Sequence, residues 1–372
     1  MLMAKESRML NVAVLGGGNG AHAAAADLTL KGFEVSLYSR WPEEFAPLKE
    51  QEGIALIDDQ GQRFVPFHRV CDRIEAALQG AEVIIVAVPA VAHEYYARAS
   101  APHLREGQIL VLNPGSTGGA LAFRNILKGI RPALDISICE TNTLTYICRL
   151  VGRGQVTITS RAKVQFATLP GRQTPKCFPL FERLYPASIQ RNNVLETSLN
   201  NINAVLHPPG MILNAGWIEH TRGNFSYYIE GSTPAVARVM EELDRERIAL
   251  CRRLGLTTQR FADFFYEAGS TTEAAYRSGS LHRVLQESEP NRFIRAPVTL
   301  SYRFLTEDIP FGIVPLAHLG SLAGISLPTV RALITLASVI NGQDYMQAGW
   351  TLEKMGLQGM TPAQVLHFVD NG

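Results

Sequence analysis

The chain has 372 residues, 46% of them hydrophobic and 19% charged, a length that suits two domains and an apolar share that excludes a disordered chain. Thirty-five Lys and Arg against 34 Asp and Glu leave a formal net charge of +1. No global basic field can gather a nucleic acid or an anionic membrane, so any anion must be held by a local site.

At the N-terminus, Lys5 and Arg8 precede an apolar stretch and a small-residue run, Ala21–Ala26, as in a secretion signal. The apolar core is only Met9–Leu15, with Asn11 inside it and three glycines directly after, so we reject a signal. Val12–Leu15 reads as a short strand ending at Gly16-Gly17-Gly18, followed by an Ala-rich helix over Ala21–Leu30 and a second strand at Glu34–Tyr38. Gly53–Ile57 and Gln62–Phe67 flank Asp58-Asp59-Gln60-Gly61, the pattern of an inserted hairpin. Val83–Val88 carries no polar residue, as a strand covered on both faces requires, and Ile109–Leu112 is a shorter run of that kind. The longest apolar run, Val83–Ala92, is broken by Pro89 and is too short for a membrane span of ~20 residues. Gln155–Thr159 and Val164–Leu169 read as an antiparallel pair.

From about Asn193 the texture becomes helical. Thr233 suits an N-cap, Pro234 the first helical position and Gly255 the stop, with Val236, Met240 and Leu243 repeating between them. Thr361-Pro362 opens a last short helix by the same chemistry. The boundary therefore falls near Ser188–Asn193, giving an α/β doubly wound domain over 1–190 and an all-α domain over 191–372. The five cysteines are scattered and form neither a CxxC pair nor a His/Cys metal spacing. They read as inert thiols of a reducing, cytoplasmic compartment, with no metal. The charged share, below the usual ~25%, leaves room for a homodimer contact.

The strongest local signal is Gly16-x-Gly18-x-x-Ala21, placed after a strand and opening a helix. Gly16 permits the tight turn, Gly18 leaves space for a pyrophosphate, and Ala21 lets helix and strand pack closely. The helix N-terminus offers free N–H groups to the phosphates, so the segment reads as a dinucleotide site. At the end of the second strand, where NAD binding usually places an acid, stand Ser39 and Arg40. An arginine and a hydroxyl suit a 2′-phosphate, which favours NADP(H) over NAD(H); the other reading is a surface arginine with Glu43 or Glu44 serving NAD. Pro89 and the stretch from Asn113 to Gly119 follow strands, where α/β sheets bind ligands, and read equally as nicotinamide neighbours or as turns closing βα units.

The second domain opens on a helical pattern. Leu195, Leu199, Ile202 and Leu206 form an apolar stripe, beside Glu196, Asn200, Asn203 and His207; Pro208-Pro209 are expected to disrupt the helix after His207. A lone histidine reads as packed or surface as readily as catalytic. Farther on, Arg303 stands near Glu307 and Asp308. This is either a solvated ion-paired loop or a carboxylate-binding arginine with an acid that orients a histidine.

These stretches together resemble the octopine/nopaline (opine) dehydrogenase family. The resemblance is carried by Leu15-Gly-Gly-Gly-Asn-Gly-Ala-His22, Leu112-Asn-Pro-Gly-Ser-Thr-Gly-Gly-Ala-Leu121, and Asn201-Ile-Asn-Ala-Val-Leu-His-Pro208. Tyr227-Tyr-Ile-Glu-Gly231 with Thr233-Pro234, and Arg303 to Asp308 followed by Gly312-Ile-Val-Pro315, carry it further. It implies a Rossmann domain joined to an all-helical one with the active site between them. It also implies a reaction, in which an α-amino acid condenses with a 2-oxo acid such as pyruvate and a reduced nicotinamide reduces the imine. His207 falls on the family's catalytic histidine, Asp308 on its partner acid and Arg303 on the carboxylate-binding arginine. Asn19 and Gly20 fall in the nucleotide loop, Glu140 and Thr141 near the amino-acid site, and Asn203, one turn before His207, could help hold substrate. Two departures, Ala21 for the third glycine and no acid after the second strand, bear on the cofactor rather than the fold. The rivals are a reductase of a 2-oxo acid or of the glycerol-3-phosphate type, and a non-catalytic NADP(H) sensor; no Lys/Arg cluster near His207 suits a phosphate substrate.

Overall fold

A computed structural model describes residues 9–67 and 69–372; Lys5 and Arg8 lie outside the described residues. The chain divides into two compact units, the first running to Gly115 and over Phe123–Gln190, the second comprising Ser116–Ala122 and Arg191–Gly372.

The first unit holds two sheets. The larger is built from β1 (Asn11–Leu15), β2 (Glu34–Tyr38), β5 (Arg69–Cys71), β6 (Val83–Val86), β7 (Ile109–Leu112), β8 (Ser137–Thr141), β11 (Gln165–Leu169) and β12 (Ile189–Gln190). Their order is β12-β11-β8-β7-β6-β1-β2-β5, all pairs parallel except β11 with β8. The order reverses at β1, so the carboxyl ends of β1 and β6 form the switch point where such sheets bind ligands. The smaller sheet, β4 (Gly61–Pro66), β3 (Gly53–Asp58), β10 (Gln155–Arg161) and β9 (Tyr146–Gly152) in that order, contains the expected hairpin.

The helix Asn19–Leu30 touches strands of both sheets, and Ala21 and Ala23–Ala26 are all buried. A helix covered on two sides needs short side chains, which accounts for its alanines. Asp27, also buried, ties it to the smaller sheet: it accepts from Tyr146 Oη at 2.9 Å and Arg161 Nη2 at 2.8 Å, and from Lys31 at 2.8 Å. Burial would raise its pKa, but the Lys31 and Arg161 hydrogen bonds and charges prevail and hold the carboxyl below its usual value.

One expected pairing is corrected here. Residues 155–161 and 165–169 do not pair; β10 pairs with β9 and β3, and β11 enters the other sheet between β8 and β12. The burial patterns differ accordingly: β11 is buried at every position, whereas β10 alternates at its start and ends exposed.

The second unit is helical. Thr233 caps Pro234–Arg253, with Gly255 at φ +68° beyond its end, and Thr361 forms a capping box with Gln364. The single helix expected across 195–207 is corrected to two, Val194–Ser198 and Asn203–Leu213. Asn200 breaks it, because its Oδ1 accepts from Arg247, Thr258 and Gln259 while its Nδ2 donates to the Glu196 carbonyl. Asn side chains compete in this way with helical backbone bonding. Asn201 Oδ1 then accepts from Asn203 N and starts the next helix. Pro208 and Pro209 do not end that helix, which runs on to Leu213. Their missing N–H groups leave the carbonyls four residues back, at Ala204 and Val205, without a helical partner.

Candidate active site

In the first unit the site is a backbone feature. Gly16 has φ +133°, and a Cβ there would lie 2.6 Å from the Ala87 carbonyl oxygen, so the loops after β1 and β6 meet only because the residue is glycine. A Cβ on Gly18 would meet no protein atom within 4 Å, so the space there stays open to a ligand. Gly18 precedes a helix with no side-chain cap, which leaves first-turn N–H groups for an anion. This donor set fits a dinucleotide pyrophosphate. Ala21 is buried as expected. Asn19 and Gly20 lie against the 144–150 segment: Asn19 Oδ1 accepts from Leu150 N of β9 at 2.9 Å, and a Cβ on Gly20 would touch Leu144.

At the tip of β2 the two expected groups diverge. Arg40 is exposed, its guanidinium 4.8 and 4.6 Å from the Trp41 and Tyr95 ring centres. Ser39 is buried and donates to the Glu44 carboxylate, which also fills the space beside Gly17. Pro89 is exposed at the end of the loop after β6.

Asn113, Glu140 and Thr141 are buried in the first unit. Asn113 Oδ1 accepts from Thr145 N at 3.1 Å and Thr141 Oγ1 at 3.2 Å, and its Nδ2 donates to Thr145 Oγ1 at 2.7 Å. The Glu140 carboxylate lies where a side chain on Gly115 would stand. The interactions of Asn113 and Thr141 bind the carboxyl ends of β7 and β8 to the turn that follows.

In the second unit the site is made of side chains from three separated segments. His207 Nδ1 lies 2.7 Å from Asp308 Oδ2, and both residues are buried. Asp308 directly precedes a π-helical turn, Ile309–Ile313, in which the Ile313 N–H donates to its carbonyl; single π-turns of this kind recur at functional sites. His207 Nε2 is 3.1 Å from Tyr228 Oη, and Phe304 stacks on the imidazole at 3.7 Å and 14°. Tyr227 Oη donates to the His207 carbonyl at 2.7 Å. Burial first, then the nearby Tyr228 and Asp308, raises the Tyr227 pKa well above its ordinary value and keeps it a donor.

A carboxylate accepting at Nδ1 places the proton there and leaves Nε2 as the basic nitrogen of the neutral ring, so the arrangement can take and return a proton. Arg303 is exposed; its Nε pairs with the buried Glu307 carboxylate at 3.0 Å, which anchors the stem. Asn203 is half-buried one turn before His207. The other two members of the polar stripe are structural: Glu196 accepts from Asn192 N and Thr257 N, and Asn200 is the hub described above. Tyr228 and Phe304 were missed from the sequence; the adjacent tyrosines in a stretch carrying the resemblance were the available signal.

A dinucleotide-type glycine turn in one unit and an acid-held imidazole in a helical unit fit an NAD(P)-dependent oxidoreductase, the class to which the similar proteins belong. The description "NAD/NADP octopine/nopaline dehydrogenase, alpha-helical domain" matches residues 190–341, and "NADP oxidoreductase coenzyme F420-dependent" matches residues 11–112. Opine dehydrogenase of Arthrobacter sp. (strain 1C) is 35% identical over 362 residues, covering 96% of this chain and 98% of the relative. The chain belongs to the octopine/nopaline, or opine, dehydrogenase family. An octopine dehydrogenase structure with NADH and agmatine shares its fold at a TM-score of 0.79 and 21% identity, covering 96% of this chain and 98% of that one. A yersinopine dehydrogenase with NADP+ bound does so at 0.72 and 15%, covering 97% and 98%.

Proposed function

We propose that the chain condenses the amine of an amino acid with a 2-oxo acid such as pyruvate and reduces the imine to a secondary amine dicarboxylate, an opine. The observation that carries this reading is the imidazole of His207, held at Nδ1 by Asp308. Condensation needs one group that gives and takes a proton near neutral pH, and imidazole is suited to it. Asp308 fixes the tautomer and stabilises the cation. Arg303, with its Nε anchored on Glu307, turns its remaining donors to the oxo-acid carboxylate, and Asn203 lies within a helical turn to assist. A bound nicotinamide dinucleotide supplies the hydride; Gly16, Gly18 and the helix N-terminus after them would hold its pyrophosphate. The test is a matrix of amino acids against 2-oxo acids, followed by nicotinamide absorbance. Oxidation that requires both partners supports the reading, and oxidation with a 2-oxo acid alone moves the chain to the plain 2-oxo acid reductases.

For the cofactor we propose NADP(H), with Ser39 and Arg40 at the 2′-phosphate. A specific observation favours the second reading, NAD(H): the Glu44 carboxylate already accepts from Ser39 in the corner beside Gly17, where it could accept from a 2′-hydroxyl and would repel a phosphate. The ratio of kcat/KM for NADPH and NADH decides between them. Arg40→Asp should lower it if the first reading holds, and Glu44→Gln should raise it if the second does.

A further inference from the structure

His207 has both ring nitrogens engaged inside the protein, Nδ1 with Asp308 at 2.7 Å and Nε2 with Tyr228 Oη at 3.1 Å, while Phe304 covers one ring face. A phenol hydroxyl can serve Nε2 in either protonation state. It donates to the lone pair of the neutral ring and accepts from the N–H of the cation. The tyrosine is also held in place. Tyr227 N donates to the Ile294 carbonyl, Ser226 bridges Arg295, and Gln286 Nε2 donates to the Ile229 carbonyl, so residues 226–229 are pinned from segment 286–295. The Tyr228 ring is buried and packs edge-on against Tyr227 at 5.0 Å and 87°. Swinging it aside to free Nε2 would break this packing; passing a proton through its hydroxyl moves no heavy atom.

We propose that Tyr228 is the proton relay between His207 and substrate in the reaction read above, and that His207 acts through it. In the dehydration step the carbinolamine C–O bond breaks. The Tyr228 hydroxyl proton goes to the departing oxygen, which leaves as water with the bond's electron pair. The His207 Nε2 proton moves to the Tyr228 oxygen, and the nitrogen lone pair forms the C=N bond. Tyrosine begins and ends neutral, His207 ends neutral, and no co-reactant is needed. In the reverse direction the same hydroxyl takes a proton from water and returns its own to Nε2.

This inference rests on the proposed role of His207, and the experiment separates the two. Full-length wild type, Tyr228→Phe, His207→Ala and a chain with 3-fluorotyrosine at position 228 are compared for kcat, for KM of the oxo acid and for melting temperature. Tyr228→Phe is expected to lose about tenfold to a hundredfold in kcat, with KM within about threefold, as for loss of a proton-transfer group. The 3-fluorotyrosine chain, which keeps the hydroxyl, should recover kcat to within about threefold of wild type. A Tyr228→Phe kcat within about twofold of wild type beside an inactive His207→Ala overturns the relay and leaves the His207 reading intact. A loss that 3-fluorotyrosine does not restore also overturns it, because the defect is then one of packing. An active His207→Ala overturns the underlying reading instead.

Discussion

Under the proposed function, the glycine turn of the first unit and the imidazole cluster of the second handle a ligand in opposite ways. In the turn, function comes from atoms that are missing. Gly16 lets two loops touch, Gly18 leaves open space, and the groups offered outward are backbone N–H donors. In the cluster, function comes from atoms that are present, with Asp308, Tyr228 and Phe304 each occupying one side of His207. The turn should therefore fail when a methyl group is added, and the cluster when a polar atom is removed. The turn is also contiguous in the chain, whereas His207 and Asp308 are 101 residues apart.

The largest expected effect falls on the cluster. His207→Ala should lower kcat by ~10²–10⁴-fold while the dissociation constant for the dinucleotide, measured by fluorescence, stays near wild type. Near-native turnover would dissolve the contrast. Next comes the turn, where two added methyl groups should behave differently. Gly16→Ala strains a left-handed residue and drives a Cβ into the Ala87 carbonyl, so it should lower the melting temperature as well as dinucleotide affinity, at a cost of about 1–3 kcal/mol. Gly18→Ala meets no protein atom and should leave the melting temperature unchanged while weakening the dinucleotide. If both variants melt alike, the distinction between a fold-required and a ligand-required glycine is wrong.

A smaller effect is expected at the edge of the cluster. Arg303→Lys replaces a planar fork by a point charge and should raise KM for the oxo acid by about tenfold, with kcat less affected. An unchanged KM would remove Arg303 from the carboxylate role. The last effect lies outside both regions and is read in the pH dependence of stability rather than in turnover or affinity. His93 is fully buried in the first unit, and burial pushes its pKa down to about 3. The unfolded chain binds its proton near pH 6.5 and the folded one does not. The group's stabilisation is therefore complete above ~6.5 and is lost as pH falls toward 3, by at most ~1.4 kcal/mol per pH unit. Chemical denaturation between pH 7 and 4 should show this slope, reduced in His93→Gln; identical slopes would exclude His93 as its source.

Much of the fold was legible in short stretches. The apolar runs at 83–86 and 109–112, the strand–glycine–helix at 11–30 and the capped helix after Thr233 each depend on neighbours a few residues away. Family resemblance singled out His207, Arg303 and Asp308 together, and the structure joins the first and the last. Three features escaped. The 155–161 strand left its sequence neighbour for a different sheet, Asn200 cut a regular helical stripe, and Pro208-Pro209 sat inside a helix that continued past them. In each, long-range hydrogen bonds or packing prevailed over a local rule.

By itself the sequence determined the period of each element, the positions where glycine or a cap was needed, and the residue types available for chemistry, because these follow from backbone sterics and apolar spacing over a few residues. Only the tertiary structure decided that Glu44 stands beside Ser39, that Asn113 hydrogen-bonds to Thr141 and Thr145, and that Tyr228 closes the second nitrogen of His207. A hydrogen bond exists only when two groups come within about 3 Å in the right orientation. No pattern of spacing along the chain contains that distance.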